Sequence, residues 1–105
     1  MSLPTNKTLL DNAHDIAKGL FAAGAIDMMT MREFDAKCLP RIKPLTPTAI
    51  KKLRTKEKVS QAVFAKFLNT TLSTVRQWER GEKHPRGTSL KLLNLVYEKG
   101  LGALV

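Results

Sequence analysis

The chain has 105 residues, 43% of them hydrophobic, which is enough for one small domain with a core and at most one extended arm. Eighteen Lys and Arg residues stand against nine Asp and Glu residues, for a net charge of +9. No signal peptide and no run of about 20 apolar residues is present, so we expect a cytoplasmic chain without a membrane span. The single cysteine, Cys38, and two distant histidines, His14 and His84, argue against a disulfide framework, a metal site, a cofactor and an enzyme.

The charge is unevenly distributed. Residues 1–45 carry six basic and five acidic groups, whereas residues 46–105 carry twelve basic and four acidic groups. This imbalance favours a polyanionic partner for the second half, with a solvated basic surface as the alternative. Three prolines between residues 40 and 47 indicate a linker, because proline fixes φ and removes a backbone donor. We place a boundary near residue 44, between an arm at 1–44 and a domain at 45–105.

The arm contains one apolar repeat at helical spacing, which predicts a helix ending near Gly24. The repeat consists of Leu9, Ala13, Ile16, Leu20 and Phe21. No segment within the arm is identified as the partner of this apolar stripe. We therefore expect the arm to be disordered or to fold on a partner, with packing on its own domain as the alternative.

The next stretch of the arm is ambiguous. Ile26, Met28 and Thr30 alternate as they would in a strand. Thr30 and Glu33 have the spacing of a helical capping box. Either a strand or a helix is compatible with residues 26–34.

Helix punctuation is clearer in the domain. Thr46 followed by Pro47 is typical of an N-cap with proline in the first helical position, which predicts a helix over residues 47–57. Ser60 caps a second helix that runs to Leu68. Asn69, which tolerates a left-handed backbone, then ends that helix.

A third helix follows after a very short turn. Thr71 is its predicted N-cap and Gly81 its end, which is the spacing of a helix-turn-helix. A last helix, capped by Thr88 or Ser89, precedes Gly100.

The third helix has two different faces. Thr71, Val75 and Trp78 share one face, so we expect Trp78 to be buried, packing toward the last helix. The other face is suited to DNA, because its side chains can hydrogen-bond base edges or touch a thymine methyl group. Its residues are Leu72, Ser73, Arg76, Gln77 and Arg80. A partly packed Leu72 is the alternative for that position.

The segment SQAVFAKFLNTTLSTVRQWERGEKHPRG, residues 60–87, resembles the helix-turn-helix of the phage-repressor-like (Cro-type, or XRE) family. Together with MTMREFDAKCLPRIKPLTPTAIKKLR before it and SLKLLNLVYEKG after it, the segment is similar to HigA-type antitoxins of toxin–antitoxin pairs. The resemblance implies a mainly α fold, a small helical bundle of the lambda-repressor-like type. Asn69 departs from the family, which commonly has glycine there.

The resemblance also implies a role for each matching position. The base-facing residues would be Leu72, Ser73, Arg76 and Gln77. Contacts to phosphate or the minor groove would come from Gln61, Thr71, Arg80, Lys83 and Arg86. Glu79 would form a structural ion pair with Arg54, which fits the repulsion between its carboxylate and phosphate.

As a function, the resemblance implies an antitoxin that represses its own operon. The domain at 45–105 would dimerise and read palindromic double-stranded operator DNA. The arm would bind and neutralise a RelE-like mRNA endonuclease. The expected toxin-binding residues are Ile16, Leu20, Phe21, Ile26, Met28, Met31 and Phe34. The alternative is a stand-alone XRE-type repressor with no toxin partner.

Overall fold

Capping side chains and left-handed residues divide the chain into helices in the computed structural model, which describes residues 9–105. The described residues form six α-helices and one 3-10 helix. These are α1 (Leu9–Ala22), α2 (Met28–Lys37), α3 (Pro47–Lys56), α4 (Gln61–Phe67), α5 (Leu72–Arg80), α6 (Gly87–Lys99) and the 3-10 helix (Leu101–Leu104). No strand occurs between residues 9 and 105, so the prediction of a mainly helical fold is confirmed there. Residues 1–8, the start of the predicted arm, lie outside the described part.

The chain separates into two compact units, the first reaching Arg41 and the second spanning Ile42–Val105. In the first, α1 and α2 pack against each other as a hairpin. Gly24, with φ of 76°, ends α1. The amides of Gly24 and Ala25 return to the carbonyls of Phe21 and Leu20, the two bonds of a Schellman motif.

Helix α2 resolves the ambiguity of residues 26–34, since residues 28–37 are helical and the strand alternative is wrong. The N-cap is Asp27, whose carboxylate accepts a hydrogen bond from the Thr30 amide at 2.7 Å. A capping box starting at Thr30 is therefore also wrong, because Thr30 already lies inside the first turn. The buried residues of α1 and α2 are Ala17 and Met31 alone. So small a core contributes little stability, which leaves stabilisation by a partner as our expectation for this unit.

The second unit is organised around one hydrophobic core. Its buried members come from α3, α4, α5 and α6, with Leu68 at the end of α4. They are Ile50, Leu53, Phe64, Ala65, Leu68, Val75, Trp78, Leu93 and Val96. Four helices that each bury one stripe in a shared core hold one another at defined angles.

The predicted helix-turn-helix is present as α4 and α5. The Ser60 hydroxyl caps α4 by accepting from the Val63 amide, and the Thr71 hydroxyl caps α5 by accepting from the Thr74 amide. Between the helices Asn69 has φ of 54°, the left-handed conformation expected for it. Gly81, with φ of 78°, ends α5 as predicted.

One expectation for the domain was wrong in detail. Helix α6 begins at Gly87 after Arg86, with no capping side-chain hydrogen bond, so neither Thr88 nor Ser89 is its N-cap. The chain turns at Gly87, with φ of 55°, before either hydroxyl is reached. Helix α5 as a whole lies mainly against α3 and α4, and Trp78 enters the core that Leu93 and Val96 of α6 also fill.

A glycine ends α6 as expected. Gly100 has φ of 80°, and a Cβ on it would lie 3.0 Å from Oε1 of Glu57. The same carboxylate accepts a hydrogen bond from the Leu101 amide, which ties the 3-10 helix to the end of α3. No helix among residues 9–105 is long and apolar enough to cross a membrane.

Candidate nucleic-acid interface

Helix α5 carries the predicted base-facing residues on the side opposite its buried anchors. Val75 is 0% exposed and Trp78 is 4% exposed, so one side of α5 is fixed in the core. Ser73 and Arg76 are exposed, whereas Leu72 and Gln77 are half-buried. The exposed side of α5 is thus rich in hydrogen-bond donors, and the packing of Val75 and Trp78 in the core fixes the position of the helix.

An ion pair between Arg54 of α3 and Glu79 fixes the end of α5. The Arg54 Nε donates to Glu79 Oε2 at 2.7 Å, and its Nη2 donates to Oε1 at 3.0 Å. The two side chains are only 14% and 6% exposed. This two-bond geometry is the strong form of an arginine–carboxylate contact.

Gln61, the predicted phosphate contact, joins the same pair. Its Nε2 donates to Glu79 Oε1 at 3.2 Å. An ionised carboxylate only accepts hydrogen bonds, so the amide nitrogen rather than the amide oxygen of Gln61 faces Glu79. One N–H of Gln61 is therefore used inside the protein, and this link between α4 and α5 was not foreseen from the sequence.

The environment of Glu79 favours its charged form. Burial by itself would raise the pKa of the carboxyl group. The hydrogen bonds from Arg54 and Gln61, together with the positive charges of Arg54 and Lys51, outweigh burial and hold the pKa of Glu79 below its ordinary value. Glu79 is thus held as an anion at neutral pH by its partners within the protein.

The other predicted phosphate contacts lie beside α5. The Thr71 hydroxyl is exposed but already caps α5 and shares a 2.8 Å hydrogen bond with the Thr74 hydroxyl. Arg80 is exposed and lies 3.9 Å from Glu82, a loose surface pair. Lys83 and Arg86 line a shallow cavity of about 350 Å³ together with Glu82 and His84. His84 adds a side chain to this loop surface that the sequence reading had considered only for metal binding.

The second unit leaves most of its positive charge uncompensated. Residues 42–105 contain thirteen Lys and Arg residues and four acidic residues, all of them described by the structure. Ion pairs in this range engage only Arg54 and Arg80. The remaining cations are available to attract a polyanion.

The hairpin of the first unit displays a different surface. Several predicted toxin-binding residues are exposed: Ile16 (64%), Leu20 (44%), Phe21 (36%) and Met28 (52%). Ile26 and Phe34 are half-buried. Met31 is 5% exposed, so in this conformation it belongs to the interior of the unit and not to its surface.

Other exposed apolar side chains of this unit were not among the predicted toxin-binding residues. Leu9 is 89% exposed and Met29 is 76% exposed. Helix α1 is apolar on two sides, because Ala17 faces inward while Leu9, Ile16 and Leu20 face solvent. Apolar periodicity marks both sides of such a helix and does not tell which one packs internally.

Polar contacts join the two hairpin helices. His14 Nε2 lies 2.7 Å from Asp35 Oδ1, and Arg32 donates to the other oxygen of Asp35 at 3.1 Å. The hydrogen bond to His14, followed by that to Arg32, lowers the pKa of Asp35 despite an opposing effect of burial. The Cys38 thiol lies 3.7 Å from the Leu10 carbonyl. Among the described residues, no group of three His, Cys, Asp or Glu side chains is arranged to hold a metal ion.

Comparison with known proteins agrees with this geometry. A family profile described as "Helix-turn-helix" matches residues 50–104. The chain is also 36% identical over 52 residues to Antitoxin HigA-2 of Vibrio cholerae serotype O1. That alignment covers half of each chain, so the present chain spans about half the length of this relative. The resemblance recognised in the sequence, to the helix-turn-helix family and to HigA-type antitoxins, is thereby confirmed.

Proposed function

Because the chain belongs to the helix-turn-helix family, we propose that it is a DNA-binding antitoxin that represses its own operon and neutralises a toxin through its N-terminal hairpin. The observation that carries the DNA-binding role is the two-sided construction of α5. Val75 and Trp78 anchor one side in the core, and Arg76 lies on the other among exposed polar groups. A rigid helix with base-edge donors is what reading of the major groove requires.

Base reading is assigned to the outward side of α5. Arg76 and Gln77 hydrogen-bond base edges, Ser73 contacts a base or a phosphate, and Leu72 contacts a thymine methyl group. Contacts to the DNA backbone position the helix without reading base sequence. We assign these contacts to Gln61, Thr71, Arg80, Lys83 and Arg86. The uncompensated charge of residues 42–105 supplies the salt-dependent part of the affinity.

Repression requires a dimer on a palindromic operator. Two copies joined through residues 45–105 place their α5 helices about 34 Å apart, one turn of DNA, on two half-sites. Binding of such a dimer over the promoter blocks transcription of the operon.

Toxin neutralisation is assigned to the hairpin. It is supported by the similarity to Antitoxin HigA-2 and by the exposed apolar residues of α1 and α2. Their burial against a partner removes apolar surface from water and stabilises a unit with a small core of its own. Met31 takes part only if the hairpin opens, since it is buried here.

The partner we propose is a RelE-like, ribosome-dependent mRNA endonuclease, acting in the cytoplasm. The hairpin inhibits it by covering its active surface or its route into the ribosome. The antitoxin performs no catalysis in this scheme, because sequestration needs only affinity.

The DNA-binding role is tested by selecting binding sequences from a random duplex pool. The full-length chain should enrich a two-fold symmetric sequence. The double variant Arg76→Ala with Gln77→Ala should enrich no sequence. The control Lys91→Gln, at an exposed position of α6, should enrich the same sequence as the wild type. An unchanged motif with the α5 variant would refute the assignment of the recognition helix.

The antitoxin role is tested by growth rescue. Each protein encoded beside this chain is induced alone and then together with it. Rescue by the wild type, its loss in Ile16→Asp with Leu20→Asp, and its retention in Lys18→Glu would support a toxin bound to the apolar stripe. Absence of any growth-arresting neighbour would instead favour a stand-alone repressor.

A further inference from the structure

The turn between α3 and α4 holds a lysine in an unfavourable backbone conformation. Lys58 has φ of 59°, in the left-handed region where a side chain costs free energy and glycine does not. The turn is a Schellman motif, since the Lys58 amide binds the Thr55 carbonyl and the Val59 amide binds the Arg54 carbonyl. Glycine is the usual residue at this position, so a lysine here needs a reason outside the turn.

The turn is fixed by the same arginine that anchors α5. Arg54 Nη1 donates to the Val59 carbonyl at 3.1 Å, while its Nε and Nη2 bind Glu79. Arg54 therefore connects the turn that contains Lys58 to Glu79 near the end of α5.

Lys51 borders the same network from α3. Its positive charge acts on the Glu79 carboxylate, to which the Gln61 side chain also donates. Lys51 and Arg54 are three residues apart on α3 and share one side of it, and Lys58 follows in the turn whose Val59 carbonyl Arg54 binds. Lys52 and Lys56, four residues apart, form a separate row.

Lys51 and Lys58 both lie outside the ion pairs of the second unit. Both side chains are exposed. The acidic residue nearest in sequence, Glu57, uses its carboxylate to accept the Leu101 amide. Two cations thus flank the polar link between α3, α4 and α5.

We propose that Lys51 and Lys58 bind DNA phosphates and extend the interface from α5 across the α3–α4 turn. This inference rests on the proposed DNA-binding function and adds two contacts to it. Lysine suits the role, because its ammonium is a flexible point charge that attracts phosphate without reading bases. The unfavourable left-handed conformation of Lys58 is then explained by where it places the lysine ammonium.

The test measures affinity of the full-length chain for a mixed-sequence duplex of about 30 base pairs, by fluorescence anisotropy at several salt concentrations. Phosphate contacts do not need the operator, so this duplex is sufficient. The double variant Lys51→Gln with Lys58→Gly should bind more weakly, with its slope of log affinity against log salt smaller by about 2. The matched control, Lys52→Gln with Lys56→Gln, loses the same charge from α3 and should keep the wild-type slope.

Lys58→Gly alone separates a binding role from a structural one. It removes the charge and the unfavourable φ together, so its melting temperature should rise while its affinity for the duplex falls. The proposal would be overturned if the two double variants lost the same amount of duplex affinity. It would also be overturned if Lys51→Gln with Lys58→Gly kept the wild-type slope of log affinity against log salt. Failure of the wild type to bind any duplex would instead refute the DNA-binding function itself.

Discussion

Arg54 and Glu79 connect α3 to α5 through two hydrogen bonds, of 2.7 and 3.0 Å, although 25 residues separate them in the chain. Both side chains are largely withdrawn from solvent. The pair therefore sets the position of α5, the candidate recognition helix, relative to α3. Loss of the pair should affect both the stability of the second unit and the placement of the polar side chains on α5.

Removal of the Glu79 charge should destabilise the second unit substantially. Glu79→Gln leaves the Arg54 guanidinium largely buried without a counter-charge, and breaking such a pair costs about 3 kcal/mol. Urea denaturation followed by Trp78 fluorescence measures this loss. Arg80→Gln, which breaks an exposed pair with a 3.9 Å separation, should cost less than about 1 kcal/mol. Similar losses of unfolding free energy in both variants would show that the buried pair stabilises the unit no more than the exposed pair.

The Glu79 carboxylate should also make the stability of the second unit depend on pH. Because the folded pKa of Glu79 lies below its ordinary value of 4.5, its contribution is complete above pH 4.5 and is lost as the pH falls through the lower folded value. The difference in unfolding free energy between wild type and Glu79→Gln should therefore shrink progressively as the pH falls from about 5 into the acid range. Parallel curves across that range would contradict the depressed pKa.

Asn69 offers a test of the turn within the helix-turn-helix. Its φ of 54° is tolerated by asparagine and is easier for glycine. Asn69→Gly should leave stability unchanged or raise it by up to about 1 kcal/mol, whereas Asn69→Ala should lower it by about 1 kcal/mol. Thermal denaturation distinguishes the two. Equal stabilities would mean that the turn relaxes to another conformation.

The two units should differ in their resistance to amide hydrogen exchange. The hairpin has two buried side chains, Ala17 and Met31, so its amides should exchange through low-energy local opening. The amides of Phe64 and Leu93, in the larger core, should exchange far more slowly. Exchange mass spectrometry of the free chain measures both, and equal protection would refute a partner-dependent hairpin.

Local chemistry explains the elements that were predicted correctly. Thr46, Ser60 and Thr71 cap their helices because a hydroxyl reaches an amide three residues ahead. Asn69 and Gly81 end helices because each adopts a left-handed backbone. The burial of Val75 and Trp78 follows from helical period alone. The pairing of Arg54 with Glu79 came from family resemblance, since no local rule joins residues so far apart.

The errors arose where two local signals competed. Asp27 caps α2 although Thr30 and Glu33 also had capping spacing. Thr88 and Ser89 are both capping residues, yet α6 begins earlier, at Gly87. Met31, predicted to bind the toxin, is buried in this structure because α2 packs against α1, a pairing that the sequence did not indicate. In each case the choice among compatible local patterns depended on a neighbouring segment.

From the sequence alone, residues 45–105 could be predicted to be helical and basic and to contain a helix-turn-helix with a buried tryptophan. These properties depend on residue type and on spacings of three or four residues, which are local. The tertiary structure was needed to show that Gln61 joins Arg54 at the carboxylate of Glu79, and which side of α1 stays exposed. Those outcomes depend on packing between segments distant in the chain, because a side chain's partner is set by the arrangement of helices around it.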